Sequence, residues 1–175
     1  MLQYLKIFLA SPIRQADNHY KPLKKPMNIT IPVSSLLHDK SPLVWSVAPS
    51  ATVYDAIKLM AAQNIGALPV LSDGIVTGIF TERDYTRKIA LHGKSSKDTR
   101  VWEICTNEAH AVTPEDSVAD CMRLMTEHRV RHLPVLQGTE LVGIISIGDL
   151  VNWTISTQEA AIEQMEQYIA GSYGQ

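Results

Sequence analysis

The chain has 175 residues, 45% of them apolar, and a formal net charge of −2. That length suits one domain or two small packed ones, and the apolar share is enough for a core. The near-neutral balance excludes a general pull toward nucleic acid or membrane, so any anion site must be local. No apolar run approaches the roughly 18–20 residues of a bilayer span. The two cysteines, Cys105 and Cys121, are too few for a disulfide framework and point to a reducing, cytoplasmic setting.

In chain order, residues 1–26 stand apart. "MLQYLKIFLASPIRQ" breaks its apolar stretch at Lys6 and lacks the uninterrupted core of a secretory signal. "NHYKPLKKPMN" follows, with two prolines and three lysines. The segment reads as an extension or loosely docked helix leading into coil, with a membrane-surface segment as the alternative. Met27 offers a second possible start.

From residue 33 onward the chain is written twice. Placing Pro49 on Pro114 aligns "PSATVYDAIKLMAAQNIGALPVL" with "PEDSVADCMRLMTEHRVRHLPVL" without a gap. The register holds through "GIFTERDY" and "GIISIGDL", so Gly78, Thr81 and Asp84 fall on Gly143, Ser146 and Asp149. Such self-similarity marks a duplicated supersecondary unit. Thr52 and Ser117 precede apolar residues at helical spacing and predict capped helices of about 11–12 residues. "IGALPVL" and "VRHLPVL" predict strands, with a proline that belongs on a strand end or edge. Turns at "SDG" and "QGT" lead to second strands, "IVTGIF" and "ELVGIIS". The order in each copy is strand–helix–strand–strand–helix. Each copy is near 60 residues, where burial is marginal, so two copies packed sheet to sheet about a pseudo-twofold are expected. The fold class is α/β in the broad sense, α+β in detail. The boundaries are an extension at 1–32, repeats at 33–95 and 96–155, and a helical tail at 156–175.

Thr81 and Ser146 sit where a strand hands over to a helix. A hydroxyl there, with free backbone N–H groups in a positive dipole field, suits phosphate. Asp84 and Asp149, three residues on, suit the two hydroxyls of a ribose. The same spacing also writes a capping box, and a duplicated structure duplicates its caps.

Paired repeats ending in Gly-apolar-apolar-(Ser/Thr)-x-x-Asp after "LPV" resemble CBS domains, whose tandem pair forms a Bateman module. The loop "GKSSKDT", "RVRHLPV", "SIGDLV" and the tail "QEAAIEQMEQYIAG" further resemble small stand-alone CBS-pair proteins of bacteria and plant organelles. The resemblance implies a regulatory module that senses an adenosyl ligand (AMP, ADP, ATP, NAD or S-adenosylmethionine) and assembles as a homodimer of pairs. It also implies two clefts. The first would use Asp149 for ribose and Ser146 for phosphate. Lys40, Val44, Trp45, Ile65, Gly66 and Ala67 would surround its adenine, and Arg131 and His132 would meet its phosphates. The second would use Asp84 and Thr81 with Thr106, His110, Val130 and Arg131, and Arg83 could serve phosphate there. Arg129, Arg131 and His132 crowd one strand, which makes the first cleft the better expected phosphate site. Ala67 departs from a basic residue sometimes present in the family.

His128 and His132 are four apart, but a helix end and a strand start fall between them, and no metal site is expected. Cys121 takes a core-facing slot. Trp45 alone among the tryptophans has a plausible stacking role. No Walker loop, nucleophile elbow or paired catalytic acids appear, so no catalytic residues are assigned and no cofactor is required. The competing reading is a structural dimerisation module with degenerate clefts. Apolar residues in "DYTRKIAL" and "DLVNWTI" place the expected homodimer contact on the helices near 83–91 and 148–157.

Overall fold

The computed structural model of the protein describes residues 31–172 apart from 39, 42 and 108, so the reading of residues 1–26 lies outside them. The helices α1 (Val33–His38) and α2 (Val53–Gln63) lead into an antiparallel hairpin, β1 (Ala67–Ser72) and β2 (Ile75–Thr81). A continuous helical run, α3, follows: Glu82–Asp84 in α, Tyr85–Ile89 in π and Ala90–His92 in 3-10 geometry. The second copy repeats this with α4 (Val118–His128), β3 (His132–Gln137), β4 (Glu140–Ser146) and the long α5 (Ile147–Ser172). The architecture is α+β, with β2 and β4 of the two hairpins in contact.

The local chemistry of the two copies matches. Thr52 Oγ1 accepts from the Asp55 amide at 3.0 Å, and Ser117 Oγ from the Asp120 amide at 3.1 Å. Each helix therefore starts with one orphan N–H satisfied. Each ends on a left-handed residue, Asn64 (φ 52°) and Arg129 (φ 55°). The hairpin turns differ. Asp73 and Gly74 both take positive φ, the pattern of a type I′ turn, whereas in the second only Gly138 does, as in type II′. Both hairpins carry a bulge, after Val70 and after Val135.

The expected first strand of each copy shrinks to a single parallel bridge, Val47 to Val70 and Val112 to Val135. Val47 N–H donates to the Pro69 carbonyl at 3.0 Å, and Leu71 N–H to the Val47 carbonyl at 2.9 Å. Extending that ladder toward Trp45 would need an N–H from Pro69, which proline lacks. Pro134 stops the second ladder in the same way. Both prolines thus lie on hairpin edges, as their sequence context suggests.

Two cores result. One gathers Val53, Ala56, Met60, Leu68, Val70, Phe80 and Ile89; the other gathers the matching Val118, Cys121, Met125, Leu133, Val135 and Ile145, with Leu150. Each buried side chain of this size contributes about 1.5–3 kcal/mol relative to exposure. The halves also exchange segments. Val33 and Leu36 of α1 are buried in the core of the second copy, and Val101 and Ile104 in that of the first. Backbone bonds fasten both, with Val33 N–H on the Asp116 carbonyl and Val101 N–H on that of Ala51. Neither half has a complete core without a piece contributed from outside its own helix–hairpin unit.

Candidate functional site

The glycine of each repeated motif marks a close approach. A Cβ on Gly78 would lie 2.7 Å from the Thr106 backbone oxygen, and one on Gly143 would lie 2.5 Å from Leu37 Cδ2. Glycine therefore lets a neighbouring segment run against each second strand. On β2 this is hydrogen bonded, Ile79 N–H to the Thr106 carbonyl at 3.0 Å and Thr106 N–H to the Ile79 carbonyl at 2.9 Å. On β4, Lys40 Nζ donates to the Ile144 carbonyl at 3.0 Å.

Immediately after each close approach the strand turns into a helix, and a cleft opens. Both corners are built as capping boxes. Thr81 N–H and Oγ1–H donate to Asp84 Oδ2 at 3.1 and 2.6 Å, while the Asp84 amide donates back to Thr81 Oγ1 at 3.2 Å. Ser146 and Asp149 repeat this at 2.6, 2.8 and 3.2 Å. The cap reading of the sequence is thus realised, and both hydroxyls point at their own acids.

Each acid also holds a lysine, by different routes. Asp149 Oδ2 lies 2.7 Å from Lys40 Nζ, which arrives from beyond α1. Asp84 Oδ1 lies 2.9 Å from Lys88 Nζ, one turn along the same helical run. Lys88 also donates to the Ile104 carbonyl at 2.6 Å. The position matching Lys88 is Trp153, half-buried against the second core. Partial burial pushes the Asp149 carboxyl up, but the Lys40 bond and the Ser146 amide and hydroxyl outweigh it and hold it below its ordinary 3.8.

The first cleft, about 420 Å³, is lined by Lys40, Val44, Trp45, Ile65, Gly66, Ala67, His132, Ser146 and Asp149. These are the residues expected there, with one exception: Arg131 lines the second cleft and not the first. Leu37, Ser41, Leu43, Gln63, Asn64 and the β4 residues 142–144 complete the wall. Lys40, expected beside a base, instead pairs with the acid.

The second cleft, about 480 Å³, brings together Thr81, Arg83, Asp84, Thr106, His110, Val130 and Arg131, all expected there. It adds Arg87, Lys88, His128 and Arg129. Arg83 Nη1 donates to the Arg129 carbonyl at 2.7 Å, and the His110 and His128 rings stack with centroids 3.7 Å apart. Arg87 and Lys88 were legible as the residues one turn beyond Asp84 on a helix. Among the described residues, five Lys or Arg therefore line the second cleft and Lys40 alone the first. The basic residues expected to favour the first cleft are distributed otherwise: Arg129 and Arg131 line the second cleft and not the first, and His132 lines both.

Gly66 and His132 line both clefts and form a shared wall. A Cβ on Gly66 would come within 3.3 Å of Glu82 Oε2 and 3.6 Å of His132 Cε1. Burial lowers the His132 pKa, Asp149 works against this, and Lys40, Arg131 and Arg83 reinforce it. Its imidazole is neutral near pH 7.

Burial raises both thiols, Cys105 against the opposing charge of Lys88, and Cys121 to about 11 with help from Asp116 and Asp120. Cys121 is buried in the core, as its helical position predicts. Among the described residues no group of three or more His, Cys, Asp or Glu stands together as a metal site, and no helix is long and apolar enough to cross a membrane.

Fold and clefts together define a tandem-repeat α+β protein: two copies of one helix–hairpin–helix unit, with a hydroxyl–acid corner opening on a cleft in each. The chain belongs to the CBS-domain family, whose model matches residues 33–91 and 101–156. It is 44% identical over 127 residues to the mitochondrial CBS domain-containing protein CBSX3 of Arabidopsis thaliana, covering 70% of this chain and 62% of that protein. The CBS domain-containing protein YhcV of Bacillus subtilis is 33% identical over 140 residues, covering 80% of this chain and 92% of that one. A solved CBS-domain structure from Burkholderia ambifaria superposes with a TM-score of 0.70 at 51% identity, over 73% of this chain and 96% of that chain.

Proposed function

We propose that the two clefts take adenosine nucleotides of the AMP, ADP, ATP or NAD class. Occupancy would reset the conformation or assembly of a regulatory, non-catalytic module. One observation carries this: in both copies a helix start with its hydroxyl and acid opens on a cleft walled in part by the other copy. The volumes suit a small ligand, and cations stand near each acid for phosphate. A ribose taking either carboxylate would compete with the lysine now on it. Lys40 lies just beyond α1 and Lys88 within α3, so displacing them gives binding a route into both elements. The exposed Leu91, Val151 and Ile155 favour a homodimer through the helices after the two motifs. The competing reading, a dimerisation scaffold with unused clefts, draws on the fact that each acid is already satisfied within the chain.

Calorimetric titration and thermal scans with AMP, ADP, ATP, NAD and their guanosine, cytidine and uridine counterparts decide between them. Saturable binding selective for adenine is expected, with about 2.7 kcal/mol of stabilisation at a hundredfold excess over Kd. A protein indifferent to every adenosyl compound is a scaffold.

A further inference from the structure

The long helix α5 continues well past the body. Ile147, Leu150 and Trp153 pack on the second core, yet every described side chain from Ile155 to Ile169 is exposed. At about 1.5 Å per residue, that is more than 20 Å of helix with exposed side chains. Helices of this length are marginal in water without a packing partner.

The exposed stretch is patterned. Val151, Ile155, Gln158, Ile162, Met165 and Ile169 alternate at spacings of four and three, which is a heptad seam with isoleucine at each a position and Val, Gln and Met at d. Its apolar members are 44% (Val151), 48% (Ile155), 55% (Ile162), 67% (Met165) and 56% (Ile169) exposed. The residues that dock on the body, Ile147, Leu150 and Trp153, occupy other heptad positions, roughly a third of a turn around the helix, so the body does not cover the seam.

We propose that α5 pairs with α5 of a second copy in a parallel, two-stranded coiled coil. This goes beyond the nucleotide reading and does not depend on it. Isoleucine at a without isoleucine at d avoids the arrangement that shifts a pair to three or four strands. The flanking charges select the direction. Between 154 and 168 the e positions are Glu159 and Glu166, and the g positions are Thr154, Ala161 and Tyr168. In a parallel pair each e residue meets the partner copy's g residue, so no two glutamates meet. In an antiparallel pair e meets e, and the glutamates repel. Residues 147–172 contain no Lys, Arg or His to relieve that repulsion. The seam spans fewer than three heptads, so its association is modest and sensitive to one substitution.

Sedimentation of the full chain at micromolar concentration tests this. A dimer is expected, with dissociation tenfold or more easier for Ile162→Glu, while near-ultraviolet circular dichroism stays unchanged. With Cys105 changed to Ser, Ile155→Cys should form an interchain disulfide under mild oxidation, and so should Ile169→Cys. Monomeric parent protein, which would mean that something else covers the seam, overturns the proposal. So does an Ile162→Glu variant that dimerises like the parent. Disulfides that form only when the Ile155→Cys and Ile169→Cys chains are mixed overturn the parallel direction.

Discussion

Lys40 Nζ and Asp149 Oδ2 lie 2.7 Å apart although 109 residues separate them in the chain. The contact ties the segment after α1 to the start of α5 across the mouth of the first cleft. The Asp149 carboxyl is held below its ordinary value, so its stabilisation is present above about pH 3.8 and is lost as pH falls through the lowered value. Lys40→Met should therefore lose less stability between pH 5 and pH 3 than the parent. The difference should be under about 1 kcal/mol, because both groups are about a third exposed and solvent screens them. Urea unfolding across that range checks it, and superimposable acid limbs would show that the pair contributes nothing.

The same contact marks where sequence reasoning stopped. The 65-residue register was enough to place α2, α4 and both hairpins, because those elements rest on local periodicity and caps. The family resemblance, carried over residue by residue, named nearly every expected lining residue for the cleft where the structure places it. The exchange of Val33 and Leu36 into the second core was not legible. It rests on long-range packing for which α1 carries no local signal. Arg131, expected at both clefts, lines the second and not the first; it stands just before β3, where strand alternation does not fix the side chain.

His132 forms the wall between the clefts, and burial keeps it neutral. Its folded value lies below the unfolded 6.5, so the folded state resists protonation. The stability it supports is present above about pH 6.5 and declines as pH falls toward the lowered value. His132→Gln should flatten that decline between pH 6.5 and pH 5 in denaturant titrations. A variant with an unchanged slope there would exclude His132 as the titrating group.

The two motif glycines should differ in tolerance. At Gly78 an added methyl meets the Thr106 carbonyl, fixed by paired bonds to Ile79. At Gly143 it meets the end of the Leu37 side chain, which can change rotamer. Gly78→Ala should cost about 1–3 kcal/mol, the usual range for overpacking, and Gly143→Ala less. Thermal unfolding ranks them, and the reverse order would refute the backbone-contact account.

Arg129 caps α4 in a left-handed conformation (φ 55°), where the first copy has Asn64 (φ 52°). Left-handed backbone favours glycine and asparagine over arginine. Arg129→Asn should stabilise the fold by up to about 1 kcal/mol, because asparagine accepts the left-handed region more readily than arginine. The same change removes a cation from the second cleft and should weaken ATP binding there. Strain retained beside a cleft fits a role in binding. A variant that is more stable and binds ATP like the parent would separate the two effects.

The charge distribution ranks the clefts. Among the described residues, Arg83, Arg87, Lys88, Arg129 and Arg131 line the second, and only Lys40 the first. If nucleotides bind as proposed, the second cleft should prefer ATP over AMP, and the first should discriminate less. Asp84→Ala removes the proposed ribose acceptor from the second cleft alone. A hydrogen bond to a charged group contributes about 1.5–3 kcal/mol, so ATP should bind there tenfold more weakly or worse. Arg131→Ala should weaken ATP more than AMP at the same site, because in the proposed binding mode it would meet phosphate rather than ribose. Asp149→Ala should leave that site untouched and lower affinity only at the other. Loss of a helix-start acid typically costs about 1 kcal/mol, so both variants should remain folded. Lys88, left without its partner in Asp84→Ala, is 43% exposed and can turn to solvent. Two-site calorimetric titration with ATP and AMP measures all three. If Asp149→Ala removes the tighter ATP site, or if Arg131→Ala weakens ATP and AMP equally, the basic crown is not what selects phosphate.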